Sequence, residues 1–458
     1  MGWFGSQSRS CAVWVSVSGN SNEIMAVQHS AERHVVITGI GVVSPIGIGV
    51  DQFWSSIQSG TSGIGKIDIL PYTPVPHGFG GAVRDFNPSQ FTKTREQKKA
   101  IRVMCREIQL GFAAATLALD DAGIGEGTIA PERLGVEFGA NLMLSPPEDL
   151  VEACMASVDE SGKFRYERWG DLGLPKMFPL WLLKFLPNMP ACHIGIAADA
   201  RGPNNSITLD EASANLVIGE ALRVIARGHA DVMITGSTGS RVHEVKSMHA
   251  KMWDQLATAD VAPNAACRPF DKERTGQVVG EGSGVLILEE AAHAEKRGAK
   301  LYGRILGAGS ACVSKPGARG DTRKALAQAM RCAIADAGVT PGDIGHINAH
   351  GLSSTESDAA EAQAIHDVFG PMATKVPVTA FKSFVGNAAA GCGSMELAAS
   401  LISLRQGIIP PTLNYQTPDP ACPLNVVTGT GLKTSNRLFL KVNVTRMGQA
   451  SAVIAAGV

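Results

Sequence analysis

"ATLALDDAGIGEGTIAPERLGVEFGAN", residues 115–141, reads as a helix stopped at Asp-Ala-Gly, a loop, a short apolar strand and a small polar turn. The same order returns in "AQAMRCAIADAGVTPGDIGHINAHG", residues 327–351. In each copy a glycine, Gly123 or Gly338, stands where a helix C-terminus favours a left-handed residue. An offset of about two hundred residues far exceeds the roughly 20 to 50 of a solenoid, so it marks a duplicated domain. Other pieces echo as well. "VVITGIGVVSP" (35–45) opens the first half and "GRILGAGSACVSKP" (303–316) the second, and helices ending near Arg227-Gly228 and Arg405 to Gly407 close similar positions. Short Val/Ile runs alternate with Ala/Leu-rich segments, which predicts an α/β class with buried strands. The expected architecture is two similar α/β halves, 33–299 and 300–458, joined near Glu290 to Lys300. Residues 1–32, Ser/Asn-rich and without periodicity, are expected to form a disordered extension.

With 45% hydrophobic and 18% charged residues among 458, the chain can bury a large core. A formal charge of −1 gives no field that implies nucleic acid or a membrane surface. The nine cysteines are odd in number and scattered, with no CxxC pair and no metal-like clustering with histidine. That usage fits reduced thiols and a cytoplasmic protein. The most apolar run, "MFPLWLLKFLP" (177–187), is too short to span a bilayer and is expected in the core or at an interface. The opening "VVITGIGVVSPIG" superficially looks like a dinucleotide loop. Pro45 interrupts the required helix, and no acidic strand end follows at the right distance.

Chemistry is expected where strands meet helices. In "GPNNSITLDEASANLVIGEALRVIARG" (202–228) a β-prone run, Asn205 to Leu209, meets an apolar helix, Ala212 to Arg227, through Asp210-Glu211. The unpaired amides and dipole of a helix N-terminus favour negative charge and lower a thiol's pKa. The pair of acids can be simple helix caps. "GHINAHGLSSTESDAAEAQAI" places His350 after a strand, Ile344 to Ala349, at an edge that suits a hydrogen-bond donor or base. "TAFKSFVGNAAAGCGSMELAASLISL" repeats the geometry with Lys382, Gly386 and Asn387 in the turn and Glu396 on the helix. Asn387 is at the pseudo-equivalent of position 211. Two such helix N-termini aimed at one cleft would make an oxyanion or carboxylate site.

In combination and in order, "VVITGIGVVSPIG", "NMPACHIGIAADARGPNNSIT", "GEALRVIARGHADVMITGS", "RPFDKERTGQVVGEGSGVLILEE", "NAHGLSSTESDAAEAQAI" and "KSFVGNAAAGCGSMELAA" are specific. Over Arg33 to Val458 the chain resembles the β-ketoacyl-acyl-carrier-protein synthases of thiolase fold, especially the elongating type II enzymes. The resemblance implies a five-layered αβαβα fold of two pseudo-duplicated halves, and a homodimer or heterodimer. It also implies a Cys-His-His site that takes an acyl chain from the phosphopantetheine arm of acyl carrier protein, with no bound cofactor and no metal. Carried over by residue, the cysteine position is Glu211, the first histidine is His350 and the second is Asn387. The family's lysine is Lys382 and its glutamate is Glu396. The substrate-contacting positions are Gln277, where a phenylalanine is usual, Leu352, where a threonine is usual, Ser354, and Thr445, Arg446 and Met447 in place of aromatic and glycine residues.

One of three catalytic positions therefore matches. A carboxylate would give a mixed anhydride, uphill from a thioester, and deleting a covalent nucleophile commonly removes on the order of 10⁶ in rate. A negative charge at Glu211 also repels the malonyl carboxylate and the enolate. Ordinary condensation is not expected, and Cys392 would have to point back by about one turn to substitute. What is expected is a partner resembling the cysteine-less chain-length factors. It would pair with an active ketosynthase, with Met177 to Met189 at the interface or pocket and an acidic carrier protein docking on "TKTREQKKAIR" (Lys93, Arg95, Lys98, Lys99, Arg102). The alternatives are altered chemistry, such as malonyl-carrier decarboxylation or acyl transfer with Glu211 as base and His350 as oxyanion donor, and a module that only binds acyl groups or the carrier protein. Glu211 is then either a cap or a replacement group.

Overall fold

The computed structural model describes residues 33–70, 78–258, 261–316 and 319–458; the extension expected over 1–32 lies outside them. Residues 33–458 form one compact unit. The principal strands of the first half are β1 (Val35–Ser44), β2 (Leu134–Ala140), β3 (Asn204–Thr208), β4 (Val232–Ser240) and β5 (Glu281–Glu290). The second half has β6 (Gly303–Cys312), β7 (His346–Asn348), β8 (Pro377–Thr379), β9 (Leu438–Val444) and β10 (Gln449–Gly457). The spatial order is β3-β2-β4-β5-β1 in one half and β8-β7-β9-β10-β6 in the other, with the two-residue strand Asn425–Val426 paired parallel outside β8. In each half the first three are parallel and the last two antiparallel. The halves join edge to edge, because β1 and β6 pair antiparallel at Val36↔Arg304 and Ile37↔Gly303. The chain crosses between them through the short helix Ala291–Lys296.

Four helices set the layers: α1 (Arg106–Ala122), α2 (Ser213–Ala226), α3 (Thr322–Asp336) and α4 (Gly391–Arg405). α1 packs on β1, β4 and β5, and α3 packs on β6, β9 and β10. α2 and α4 touch strands of both halves and each other, so they form the middle layer. The result is the expected αβαβα stack. Its central apolar cluster, including Ile218, Ile225, Leu397 and Leu401, lies between the sheet halves. α4 carries no polar stripe, since Gly391 through Leu404 are all buried.

The repeated Asp-Ala-Gly has a structural purpose. β1 bulges between Ile37 and Gly39, and the ladder of β6 with β10 shifts between Ile454 and Ala455. Asp121 Oδ2 accepts from Ile40 N at 2.9 Å, and Asp336 Oδ2 accepts from Ala308 N at 2.8 Å. Each aspartate thus satisfies an amide next to a bulge, and Gly123 and Gly338 then end the helices at φ 66°. The glycines of "ITGIG" serve packing rather than a nucleotide. A Cβ on Gly39 would sit 2.4 Å from Ala118 O and one on Gly41 2.0 Å from Ala114 O, so only glycine lets α1 approach β1 this closely.

The run Met177 to Met189 is not a single regular element. Trp181 and Phe185 pack inward with Met104, Ile108 and Phe112, while Phe178, Leu180 and Leu182 remain exposed. No helix among the described residues is long and apolar enough to cross a membrane.

Candidate active site

β3 feeds a one-turn 3-10 segment, Asp210–Ala212, which leads into α2. Ser213 Oγ locks this elbow by accepting from Leu209 N at 2.8 Å and donating to Ala140 O at 3.1 Å. Asp210 is held at φ 42°, a left-handed conformation that costs an L-residue energy and is retained only where the surroundings impose it. Burial, followed by the neighbouring charge of Glu211, pushes its carboxyl upward.

Glu211 itself is 4% exposed. Its Oε1 accepts from Arg241 Nη2 at 2.7 Å and from Asn387 Nδ2 at 2.9 Å. Arg241, the residue after β4, also donates through Nη1 to Asp254 Oδ2 at 2.9 Å. Burial works against that guanidinium, but Glu211, Asp254 and Asp210 outweigh it and hold it charged. The second hydrogen of Asn387 Nδ2 goes to Gln277 Oε1 at 2.7 Å. Both donors of the Asn387 amide are therefore spent, and neither is free for an oxyanion.

A second network surrounds His350, at the end of β7. Lys382 Nζ donates to His350 O at 2.7 Å and to Glu396 Oε1 at 2.7 Å. Glu396 Oε2 pairs with Lys441 Nζ at 2.7 Å and accepts from Asn443 Nδ2 at 3.0 Å. Burial opposes the Glu396 charge, yet the two ammonium groups hold its carboxyl below the usual range. Burial, reinforced by Lys382, Lys441 and Arg241, drives His350 far below the ordinary histidine value. The neighbours of Nδ1 are both donors, Lys382 Nζ at 3.3 Å and Asn443 Nδ2 at 3.4 Å. Nδ1 is then the acceptor, and the proton of a neutral ring sits on Nε2. Glu361 fixes the loop by accepting from His350 N at 2.6 Å and Gly351 N at 2.8 Å.

A cleft of about 460 Å³ reaches Asp210, Glu211 and Arg241. Thr445, Arg446 and Met447 line it, together with Lys246, His249, Trp253 and Asp254. Arg446 lies 5.4 Å over the Trp253 ring. His350, 1% exposed, is not among the lining residues, nor are Leu352 and Ser354. Leu352 N is taken by Asp358 Oδ1 at 2.9 Å, and Ser354 Oγ donates to Gln255 Oε1 at 3.1 Å. Those two positions, expected at the substrate, are tied to Asp358 and to Gln255 of a separate segment.

Cys392 is fully buried near Asn387, its thiol 3.4 Å from Asn387 Oδ1, and burial pushes it up to about 12. It is no nucleophile at neutral pH. Arg241, Asp254, Lys441 and Asn443 escaped the sequence reading. Lys441 leaves a trace there, a lysine in the midst of the strand "LFLKVNV". Arg241 leaves one only in retrospect, as the cation a buried Glu211 requires.

The β-ketoacyl synthase N-terminal domain matches residues 32–294 and its C-terminal domain residues 302–416, so the chain belongs to the β-ketoacyl synthase family. The proteins it resembles work in fatty acid or polyketide synthesis. It is 31% identical over 404 residues to 3-oxoacyl-[acyl-carrier-protein] synthase 2 of Synechocystis, covering 87% of this chain and 92% of that one. Among solved structures, the ishigamide ketosynthase/chain length factor matches with TM-score 0.80 and 28% identity over 93% of this chain and 99% of that one. The ketosynthase of AntDE:AntF, a type II polyketide complex with its acyl-carrier protein, matches with TM-score 0.78 and 27% identity over 93% and 100%.

Proposed function

We propose that the chain is a non-condensing ketosynthase-like subunit that works beside an active ketosynthase, contributing to a dimer interface and shaping the acyl tunnel. The observation that carries this reading is Glu211. At the position the resemblance gives to the nucleophile stands a carboxylate ion-paired to Arg241 and hydrogen-bonded to Asn387. Asn387, an amide with both hydrogens engaged, stands where the second histidine would complete the enolate site. The similarity to a ketosynthase/chain length factor structure supports the same reading. The carrier protein would dock on the exposed basic helix Arg95–Ala100, which Thr94 caps and which displays Lys98 and Lys99. Its pantetheine arm would enter past Met447 and Trp253. Coexpression with a cysteine-bearing ketosynthase tests this: a stable pair that condenses only when the partner's cysteine is intact supports it, and a chain that never pairs counts against it.

A second reading, decarboxylation of malonyl carrier protein, is favoured by one observation. His350, Lys382 and Glu396 form a complete network with a neutral Nε2–H donor. Carbon dioxide release from malonyl carrier protein by the isolated chain, lost in His350→Ala, would establish that activity.

A further inference from the structure

A second cavity, of about 470 Å³, opens at the C-terminal end of α4, whose other end lies beside the Glu211 cleft. Fifteen residues of helix separate the two places by roughly 20 Å, and no residue lines both. Ile40, Ile402 and Trp54 give this cavity an apolar floor, the first two buried and the third half-buried. Most of its charges are spent on one another. Asp120 pairs with Lys93, while Asp121 accepts from Ile40 N at 2.9 Å and from Lys300 Nζ at 2.5 Å. Two charges are not spent. Arg405, the last residue of α4, carries its guanidinium carbon 4.8 Å from the centre of the Tyr302 ring. Tyr302 is 2% exposed, so a buried aromatic face steadies that cation. Among the described residues none of the Arg405 N–H groups meets an acceptor. The carboxylate of Asp51, in the first turn of the helix Val50–Ser59, likewise meets neither cation nor donor, and it lines the same cavity.

We infer that this cavity binds a small zwitterion with an apolar body, a free amino acid with an apolar side chain. The Arg405 guanidinium takes the carboxylate through two parallel N–H···O bonds, Asp51 takes the ammonium, and the floor of Ile40, Ile402 and Trp54 takes the side chain. A ligand that is only an anion would face Asp51 without compensation, and one that is only a cation would face Arg405. A zwitterion answers both charges at once. The volume of about 470 Å³ falls within the roughly 300–1,000 Å³ of small-molecule sites. No residue of the Glu211 cleft takes part, so the site is independent of whether the chain condenses.

Isothermal titration of the full chain with L-leucine and with L-phenylalanine at about pH 7.5 should show saturable binding of at least one of them, with a Kd below about 1 mM. Deleting either charge from the compound that binds should weaken it about tenfold, the loss of one charge-assisted contact. For phenylalanine the two analogues are 3-phenylpropionate and 2-phenylethylamine; for leucine they are 4-methylpentanoate and 3-methylbutylamine. Arg405→Gln and Asp51→Asn should each weaken the amino acid about tenfold and part over the analogues. Asp51→Asn should bind the carboxylate analogue at least as well as the parent chain does, and Arg405→Gln should do the same for the amine. Asp51 is exposed and has no partner to strand, so Asp51→Asn carries the test even if Arg405→Gln fails to fold. Arg446→Gln, at the cleft, should bind the amino acid as the parent does. No binding of either amino acid up to about 10 mM, an analogue that binds as tightly as its amino acid, or binding lost in Arg446→Gln overturns the inference. Titration does not read condensation, so this failure is separate from a failure of the non-condensing reading.

Discussion

Glu211 Oε1 receives two donors at once, Arg241 Nη2 at 2.7 Å and Asn387 Nδ2 at 2.9 Å. The ion pair is largely buried, with 6% of the Glu211 side chain and 18% of the Arg241 side chain exposed. Removing one partner of such a pair strands the other in low dielectric. Glu211→Ala should therefore cost about 3 kcal/mol in chemical denaturation, and Glu211→Gln, which still accepts, should cost less. A neutral effect for both would mean that the pair does not hold the elbow.

Restoring a thiol should separate two steps. In Glu211→Cys the sulfur faces the Arg241 guanidinium, which favours a thiolate. Mass spectrometry should find it acylated by an acyl carrier donor. Elongation should still fail, because Asn387 has no free donor for the enolate; losing one such donor typically removes about 10²–10³ in rate. Adding Asn387→His should raise elongation above the single variant.

The His350 network predicts a stability effect of another kind. Glu396 bridges Lys382 and Lys441, all three fully or nearly fully buried. Glu396→Gln leaves two ammonium groups without their counter-charge and should lower stability by about 3–5 kcal/mol. Nitrogen-15 NMR should find His350 neutral with its proton on Nε2 at pH values where an exposed histidine is already protonated, since burial and nearby cations both oppose its protonation.

Thiol accessibility gives a simple check on the alternative nucleophile. At about pH 8 iodoacetamide should label the exposed Cys312 in the native chain and leave Cys392 unlabelled, because burial holds the Cys392 thiol near 12. Labelling of Cys392 under native conditions would reopen its candidacy.

The fold was readable because its signals are local and repeated. Asp121-Ala122-Gly123 and Asp336-Ala337-Gly338 each end a helix and cap a bulge, so two short matches reveal the duplication. The acids at 210 and 211 were readable as an elbow for the same reason: strand, turn and helix are contiguous. Their partners were not. Arg241 and Asp254 come from another strand end and the end of the following helix, and only tertiary packing brings them to Glu211. Leu352 and Ser354 show the converse case, residues whose sequence neighbours do not reveal their partners. They lie next to His350 in sequence, but their hydrogen bonds go to Asp358 and to the distant Gln255.

The most direct test is incubation of the purified chain with radioactive acyl carrier protein and malonyl carrier protein. No label on the polypeptide and no β-ketoacyl product is the predicted outcome. Covalent labelling followed by chain extension, without any second ketosynthase present, would contradict it.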